Sequence, residues 1–358
     1  MRFPEFTEEW EKKTIENTAP LQRGFDLPTQ QLENGNIPVV YSNGIMNYHS
    51  SYKCVAPGLV TGRSGTVGKF TFISNGCYWP HNTSLWVTDF NDNNPKFIYY
   101  LYQTIRIEQY STGSGVPTLN RNDVHRHKVC IPKLKEQSKI SRFLSLIDER
   151  IATQNKIIED LKKLKVAIID KLYTNIDGIL CSYGDLMTVV NKKNKAMKYS
   201  NVLSASQELG MIERNDLNID IKYEESSISS YKLVQDGDYV VHLRSFQGGL
   251  AFSQTEGVCS PAYTILRPCD KLQYGYLAPF FTSIPFINSL RLVTYGIRDG
   301  RSININEWLD MKVCIPSLDF QRHTLSIIDA VNHKLLNEKT IAIRLLMQRK
   351  YLLQQMFI

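Results

Sequence analysis

The stretch from Pro132 to Thr174 constrains this chain more than any other, because its apolar residues return with heptad spacing over almost its whole length. Polar Gln154 and Lys165 occupy two places where that spacing would put an apolar residue. A sustained heptad pattern predicts one long amphipathic helix, and Pro132 suits the position just before it because proline lacks an N–H and fixes φ. From Leu134 onward such a helix would be roughly 60 Å long at about 1.5 Å per residue. The predicted seam is Ile140, Leu144, Ile147, Ile151, Ile158, Leu161, Ile168 and Leu172.

The same stretch occurs a second time. Residues 128–134 are Lys-Val-Cys-Ile-Pro-Lys-Leu and residues 312–318 are Lys-Val-Cys-Ile-Pro-Ser-Leu, an offset of 184 (312 − 128). The offset then holds without a gap to residue 358, so Gln137 matches Gln321 and the apolar positions recur. A repeat of this length indicates a duplicated unit, namely a globular domain followed by a long helix. The second seam is Ile328, Val331, Leu335, Leu345, Leu352 and Met356.

The repeat predicts four segments, and a length of 358 residues suits two globular domains. Each long helix has a single apolar stripe and cannot be stable alone, so we expect the two helices to pack against each other. The predicted segments are a first globular domain at 1–133, a first long helix at 134–174, a second globular domain at 175–317 and a second long helix at 318–358.

Composition narrows the classes of protein to consider. A net charge of +7 and a pI near 8.9 favour a polyanionic partner, although many proteins are mildly basic. Seven scattered cysteines without a Cys-x-x-Cys pair predict reduced thiols in a cytoplasm. No apolar run reaches the ~18 residues of a membrane span, and the first ten residues are too charged for a secretory signal. We therefore expect a cytoplasmic protein without membrane contact.

The two halves differ mainly in their loops. A glycine-rich loop at residues 61–69 (Thr-Gly-Arg-Ser-Gly-Thr-Val-Gly-Lys) has a counterpart at residues 242–249 (His-Leu-Arg-Ser-Phe-Gln-Gly-Gly). A second loop at residues 112–117 has a counterpart at residues 295–302. A shared scaffold with different loops is what a duplicated reader of two different targets would show.

The motifs tested for catalysis do not support it. The first glycine-rich loop resembles a phosphate-binding loop only superficially, because Arg63 and Phe70 stand where that motif needs glycine and Ser or Thr. Asn94 followed by proline suits a helix start better than the loop with which amino-methyltransferases hold a flipped base. His125 and His127 lack the neighbouring ligands of a metal site. We expect no catalytic residue, no metal and no cofactor.

Several features together resemble the specificity subunit of Type I restriction–modification systems. They are the two-fold repeat, the Lys-Val-Cys-Ile-Pro-x-Leu motif with a glutamine at 137 and 321, the heptad helices, the opening Arg-Phe-Pro-Glu-Phe-Thr of residues 2–7 with Trp-Glu at 10–11, and the glycine-rich Gly-Arg-Ser-Gly-x-x-Gly loop at 62–68. The resemblance covers essentially the whole chain. It implies an α+β fold in which two similar α/β target-recognition domains are separated by two long helices packed as an antiparallel coiled coil. Each domain would read half of a bipartite target in double-stranded DNA.

The same resemblance implies partners. Two methyltransferase (modification) subunits would dock on the helices and recognition domains, and restriction/motor subunits would join them. Adenine methylation from S-adenosylmethionine and cleavage driven by ATP and Mg would belong to those partners, leaving this chain non-catalytic. The alternatives are a free-standing sequence-specific DNA-binding regulator and a scaffold that binds proteins only.

The DNA contacts are expected in the loops. Arginine can bind guanine bidentately and glutamine can bind adenine, whereas lysine and serine more often contact phosphate. The alternative is that the glycines only shape the loops and the cations are ordinary solvated side chains. The predicted contacts are Arg63, Ser64, Thr66, Lys69 and Ser114 in the first domain, and Arg244, Ser245, Gln247, Arg298 and Arg301 in the second.

Four polar residues interrupt the two apolar seams. Polar seam residues commonly fix the register of paired helices, which predicts that Lys165 pairs with Glu338 and Gln154 with Arg349. The alternative is that these side chains extend to solvent.

Overall fold

The structure is a computed structural model, and it describes residues 1–112, 115–174, 176–206, 209–214, 225–296 and 301–357. The chain divides into two compact units. The first unit contains Met1–Lys156 and Thr340–Ile358, and the second contains Ile157–Lys339. Two predicted DNA contacts, Ser114 and Arg298, lie outside the described residues.

The first unit combines short strands with short helices and the start of a long helix. Asn94 begins the second helix as predicted, since its side chain accepts a hydrogen bond from the Phe97 N–H at 2.9 Å and proline follows it. The strands are β1 (Glu11–Thr14), β2 (Leu21–Arg23), β3 (Ile37–Tyr41), β4 (Gly44–His49), β5 (Cys54–Val55), β6 (Gly58–Gly62), β7 (Phe70–Ile73), β8 (Cys77–Pro80), β9 (Ser84–Val87), β10 (Ser111–Thr112), β11 (Thr118–Leu119) and β12 (Lys128–Ile131). The helices are α1 (Ile15–Thr18), α2 (Pro95–Thr104), α3 (Arg121–His125) and α4 (Leu134–Leu172), which continues into the second unit.

The second unit has the same kinds of element. The strands are β13 (Ile179–Ser182), β14 (Met187–Val190), β15 (Leu203–Ser206), β16 (Gly210–Glu213), β17 (Lys232–Val234), β18 (Tyr239–Val241), β19 (Ala251–Phe252), β20 (Gly257–Cys259), β21 (Thr264–Pro268), β22 (Thr294–Tyr295), β23 (Ser302–Ile303) and β24 (Lys312–Ile315). The helices are α5 (Ser245–Gly248), α6 (Leu277–Phe281), α7 (Ile284–Ser289), α8 (Ile305–Asp310) and α9 (Leu318–Met356), whose last part belongs to the first unit. Each unit therefore contains part of both long helices, whereas the sequence analysis treated each long helix as its own segment.

The two units repeat the same strand pairings. The four-stranded sheet β2-β9-β6-β7 of the first unit has the connectivity of β14-β21-β18-β19 in the second. The pair β1–β12, which leads into α4, corresponds to the pair β13–β24, which leads into α9. The first unit has a further sheet of order β4-β3-β8-β5. The duplication predicted from the sequence is confirmed in the fold.

The start of α4 packs against the end of α9 inside the first unit, so the helices run antiparallel there, as expected. Each helix contains 39 residues. The same buried cluster includes α2 and the strands of the β2-β9-β6-β7 sheet. The helix residues of this cluster are Ile140, Leu144, Ile147, Ile151, Leu345, Leu352, Leu353 and Met356.

Burial along the helices follows the predicted seam with a small drift. Ile169 is buried where the seam predicts the half-buried Ile168, and Leu353 is buried beside Leu352, because a helix with 3.6 residues per turn drifts from a strict heptad. The seam residues Ile140, Leu144, Ile147, Ile151, Ile158, Ile328, Leu335, Leu345, Leu352 and Met356 are buried, and Leu161, Ile168, Leu172 and Val331 are half-buried.

Arg349 has other partners than the one predicted. Its Nε donates to Asp148 Oδ1 at 2.5 Å and its Nη2 donates to Gln103 Oε1 at 2.8 Å. The predicted pairing of Gln154 with Arg349 is not among these contacts and stays a prediction. A carboxylate is a stronger partner for a half-buried guanidinium than a neutral amide, because both groups of the hydrogen bond are then charged.

Glu338 is a buried carboxylate in the seam of α9. The Nζ of Lys334, one turn earlier on the same helix, lies 2.5 Å from Glu338 Oε1. A buried carboxylate needs such a cation, because an unpaired charge away from water is costly. The predicted pairing of Glu338 with Lys165 stays a prediction.

Two equivalent glutamines fix the starts of the long helices. Gln137 Oε1 accepts a hydrogen bond from the Asn94 N–H at 2.9 Å, and Gln321 Oε1 accepts one from the Gln273 N–H at 2.7 Å. Each side-chain amide also donates to the carbonyl of the proline five residues earlier, at 2.8 Å in the first copy and 3.0 Å in the second. Both side chains are buried. Each helix is thereby tied to the globular part of its own unit.

Neither a membrane-spanning helix nor a metal cluster is found among the described residues. None of the described helices is long and apolar enough to cross a membrane. The described His, Cys, Asp and Glu side chains do not gather in groups of three or more that could hold a metal ion. The seven cysteines are free thiols.

Candidate nucleic-acid interface

The two loops predicted to contact DNA meet in the first unit. The first loop connects β6 to β7 and the second precedes β11. The Leu119 N–H donates to the Arg63 carbonyl at 2.7 Å, and the Gly65 N–H donates to the Pro117 carbonyl at 3.0 Å. Ser64 and Thr118 form an antiparallel bridge between these contacts. Residues about 55 apart in the sequence therefore form one surface.

An open cleft of about 660 Å³ lies beside this junction. Three arginines line it, namely Arg23 at the end of β2, Arg63 after β6 and Arg121 at the start of α3. The acidic Asp26 also lines it, and Arg23 Nη2 donates to Asp26 Oδ1 at 2.9 Å. Among the described residues, neither Arg63 nor Arg121 has an ion-pair partner. Two arginines are thus available to an anionic ligand.

The remaining predicted contacts of the first unit lie around the cleft. Ser64 is half-buried in the loop junction, and Thr66 is exposed near the loop tip. Lys69 is exposed, and its Nζ donates to the Asn43 carbonyl in the turn between β3 and β4. A lysine held at a loop edge with its charge in solvent is suited to contacting phosphate.

Two glycines give the first loop its tight path. A Cβ on Gly62 would lie 1.6 Å from the Thr66 carbonyl oxygen. Gly68 has φ +83°, and a Cβ there would lie 1.7 Å from Glu108 Oε1. A side chain at Gly62 would collide with backbone and one at Gly68 would be strained by the positive φ, so both glycines serve the shape of the loop. This agrees with the alternative in which the glycines shape the loops, and it does not bear on whether the loop cations contact DNA.

The corresponding loop of the second unit contains the short helix α5. Arg244 and Gln247 are exposed at this helix, and α5 lies next to β23. Arg301, directly before β23, is exposed. The two predicted loops therefore approach each other in this unit as well.

Ser245 differs from its predicted neighbours. Its side chain is 0% exposed, and its Oγ accepts a hydrogen bond from the His242 N–H at 2.7 Å. The hydroxyl thus stabilises the turn that starts α5, and it could meet DNA only after local opening. Gly249 closes this turn with φ +79°, where a Cβ would lie 1.9 Å from the Phe281 carbonyl oxygen.

The described histidines near these loops do not add positive charge. Burial lowers the pKa of His81, His125, His127 and His242 below the ordinary value of 6.5. The Nε2 of His125 accepts a hydrogen bond from the Leu21 N–H at 2.9 Å, as a neutral imidazole can. At neutral pH the positive charge of both loop surfaces therefore comes from arginine and lysine.

Arg23 and Arg121 are not among the residues predicted from the sequence to contact DNA. Arg121 stands in a polar stretch after the second loop, and Arg23 in a strand that carries no motif. They approach Arg63 because β2 and β6 both pair with β9, and because β11 is hydrogen-bonded to the first loop. No local sequence signal indicates a role for these two arginines, and only the long-range strand pairings bring them to the cleft.

Comparisons with known proteins agree on one kind of relative. Residues 7–163 match the family described as "Type I restriction modification DNA specificity domain". The chain is 32% identical over 80 residues to the "Type I restriction enzyme MjaVIII specificity subunit" of Methanocaldococcus jannaschii. That match covers 21% of this chain and 19% of the relative, so the chain spans about a fifth of that relative's length in the match.

Solved structures extend the likeness of the fold to nearly the whole chain. An S subunit of a Type I restriction-modification system from M. genitalium superposes with a TM-score of 0.57 at 15% identity, covering 98% of this chain and 96% of the other. A chain from a study of complex assembly and conformational transition of the type I R-M system superposes with a TM-score of 0.64 at 12% identity, covering 98% and 97%. At these identities the likeness is one of fold.

Proposed function

We propose that this chain is a specificity subunit of a type I restriction–modification system and that it reads a bipartite DNA sequence for methyltransferase subunits. One observation carries the proposal. In both units the loops predicted to contact DNA come together, and in the first unit they border a cleft with two arginines that have no ion-pair partner among the described residues. A protein surface of this kind attracts a polyanion, and arginine can also distinguish guanine from the other bases.

The roles of the cleft residues follow from their positions. Arg63 lies at the junction of the two loops, where its side chain can reach a base edge. Arg121 and Lys69 lie at the borders of the same surface and suit phosphate contacts, which set position and orientation. Arg244, Gln247 and Arg301 take the equivalent role in the second unit.

The duplication supports two separate reads. The two units share their strand connectivity, yet their loops differ in sequence and in local structure, since α5 has no equivalent helix between β6 and β7. A shared scaffold with different loops would read two different half-sites. Two similar methyltransferase partners would suit the pseudo-symmetry of the chain.

The long helices are the proposed docking surface for the methyltransferase subunits. Several large apolar side chains remain exposed on them, which is unusual for a protein that acts alone. We propose that restriction/motor subunits join this assembly, that S-adenosylmethionine, ATP and Mg bind in the partners, and that the chain is a non-catalytic cytoplasmic subunit without a cofactor. The exposed apolar residues include Leu134, Phe143, Leu146, Ile157, Leu164, Leu318, Phe320, Ile343, Leu346, Met347 and Tyr351.

Modified-base sequencing of host DNA tests the proposal. With the gene intact we expect one two-part adenine-methylated motif, and with the gene deleted we expect that motif to vanish. A motif that survives deletion would contradict the proposal, as would failure to co-purify a methyltransferase when no motif changes. A free-standing regulator or a scaffold would leave all methylation unchanged.

A further inference from the structure

The hairpin formed by β3 and β4 has a buried inner strand and an exposed outer strand. Val39 and Val40 of β3 are fully buried, and β3 pairs with β8 inside the sheet. In β4, by contrast, all four residues from Ile45 to Tyr48 are exposed. Since successive side chains of a strand point to opposite faces, side chains on both faces of this part of β4 are accessible to solvent.

The exposed side chains of this hairpin are unusually apolar. Met46 is 59% exposed, Tyr48 is 57% exposed and Ile45 is 43% exposed. The strand is also at the edge of its sheet. An exposed apolar edge strand favours aggregation unless a partner covers it, so a partner is expected.

The hairpin is continuous with the arginine-bearing surface. The Nζ of Lys69 donates to the Asn43 carbonyl in the turn of the hairpin. A Cβ on Gly62 would lie 3.0 Å from the Ser42 carbonyl oxygen, so the turn also touches the start of the first loop. Residues 37–49 contain no Asp or Glu that would repel phosphate. Charge and position therefore favour a nucleic acid as the partner.

We propose that the β3–β4 hairpin enters the major groove of DNA and that Met46 and Tyr48 contact base edges there. This inference rests on the proposed function and adds a reading element to it. The major groove admits a two-stranded β-ribbon, and apolar side chains in it distinguish thymine by its methyl group. The loop cations beside the hairpin would hold the phosphates on either side of the groove.

The second unit carries an equivalent hairpin with different side chains. Val202, directly before β15, bridges Val258 in parallel, as Val39 of β3 bridges Trp79 of β8. The described part of that hairpin exposes Leu209 and Glu213 instead of the apolar series of β4. Equivalent hairpins with different exposed residues are what two reading elements for different half-sites require.

The test uses the full chain co-expressed with its methyltransferase in a host lacking the wild-type gene. Met46→Ala and Tyr48→Ala are compared with Val189→Ala, a control at a residue that is 49% exposed on a strand of the second unit. We expect each hairpin variant to reduce discrimination about tenfold or more at one or two positions in one half of the methylated motif. The other half of the motif and the Val189→Ala pattern should stay as in the wild type.

Each other outcome overturns the inference. If deletion of the gene removes the motif but both hairpin variants leave it unchanged, the hairpin reads nothing, while the proposed function stands. If the variants no longer elute together with the methyltransferase on size-exclusion chromatography, the hairpin is a protein-docking element. If either variant lowers the melting temperature of the complex strongly, the side chain supports the fold. If deletion itself leaves the motif unchanged, the proposed function fails first.

Discussion

The side chains of Gln137 and Gln321 show how one buried amide joins a domain to its long helix. Each accepts a hydrogen bond from a backbone N–H of its domain and donates to the carbonyl of the preceding proline. Removing such a side chain leaves buried backbone groups unpaired, which costs about 1–3 kcal/mol for each group. The resemblance singled out these glutamines, but only the structure gives the reason for them.

Replacing the first of these amides should destabilise the protein. We expect Gln137→Ala to lower the free energy of unfolding by about 2 kcal/mol, because the Asn94 N–H and the Pro132 carbonyl lose their partner. Urea unfolding followed by circular dichroism measures the change. Gln348→Ala, at an exposed helix position, is the control, and equal midpoints for the two variants would contradict the expectation.

Arg63 and Arg121 should differ in what they contribute to DNA binding. We expect Arg121→Ala to weaken binding to all sequences and to lower the slope of log affinity against log salt by about 1, because one phosphate contact is lost. Arg63→Ala should relax the preference for one base instead. Titrations of the complex at several salt concentrations separate the two effects. Arg126→Ala is the control, since Arg126 is exposed and already pairs with Asp123 at 3.4 Å.

The predicted DNA contacts whose signal is local are accessible to solvent, and their contact with DNA stays a prediction. Arg63, Lys69, Arg244 and Gln247 stand in glycine-rich loops, and the structure leaves them half-buried or exposed on the loop surface. Ser245 looked the same in the sequence but is buried, because the turn before α5 uses its hydroxyl. No local pattern distinguishes a serine that completes a turn from one that faces solvent.

At the scale of elements, the long helices were the most predictable part of the fold. Their heptad pattern gave starting points at Leu134 and Leu318, where the structure begins α4 and α9. The polar pairing of Arg349 was not predictable, because its partners Asp148 and Gln103 come from two other helices. The heptad pattern indicates which residues face the partner helix, but it gives no information on contacts with the globular domain, such as the one to Gln103.

The hydrogen bonds of Arg349 to Asp148 and Gln103 should stabilise the packing of α9 against α4 and α2. Its partner Asp148 also accepts a hydrogen bond from the Tyr100 hydroxyl at 2.7 Å. We expect Asp148→Ala to lower the free energy of unfolding by about 1–3 kcal/mol, because the half-buried guanidinium loses its carboxylate. Asn332 occupies the position of Asp148 in the second copy and is exposed, so Asn332→Ala is the matched control in thermal melting. Equal melting temperatures would contradict the role of this contact.

At the scale of the whole molecule, the duplication predicted more of the fold than any single motif did. It predicted that both units have the same strand connectivity, which they do. It could not predict that each compact unit takes part of both long helices, because that depends on which helix segments share a core. Nor could it show the β3–β4 hairpin as an exposed element, since its residues have an ordinary strand pattern.

Exchange of one recognition domain should change one half of the DNA target only. We expect a chimera in which residues 1–133 come from another specificity subunit to methylate a motif with one new half and one unchanged half. Each unit has its own loops and scaffold, which is the physical reason for independent reading. Modified-base sequencing of a host that carries the chimera and its methyltransferase is the measurement. A change in both halves would show that the reads are coupled.

Stability should fall as the pH is lowered from neutral. Burial lowers the pKa of His81, His125, His127 and His242 below 6.5, so the unfolded chain binds more protons than the folded one just below that pH. The contribution is complete above pH 6.5 and is lost as the pH falls through the lowered values. Melting temperatures between pH 8 and pH 5 should therefore decrease, and His242→Gln should make that decrease shallower. An unchanged slope in this variant would contradict the assignment.

The shared core of the first unit has a consequence for how the protein is made. Leu345, Leu352, Leu353 and Met356 complete a cluster that otherwise consists of residues before 152. During synthesis, the globular part of the first unit therefore keeps an open apolar face while nearly two hundred further residues are added, whereas the second unit, at 157–339, is completed earlier. Domains usually fold in the order in which they are synthesised, but here the first unit completes its core after the second. We expect a nascent chain stalled before residue 340 to expose this incomplete core, and therefore to be bound by chaperones or cut by proteases.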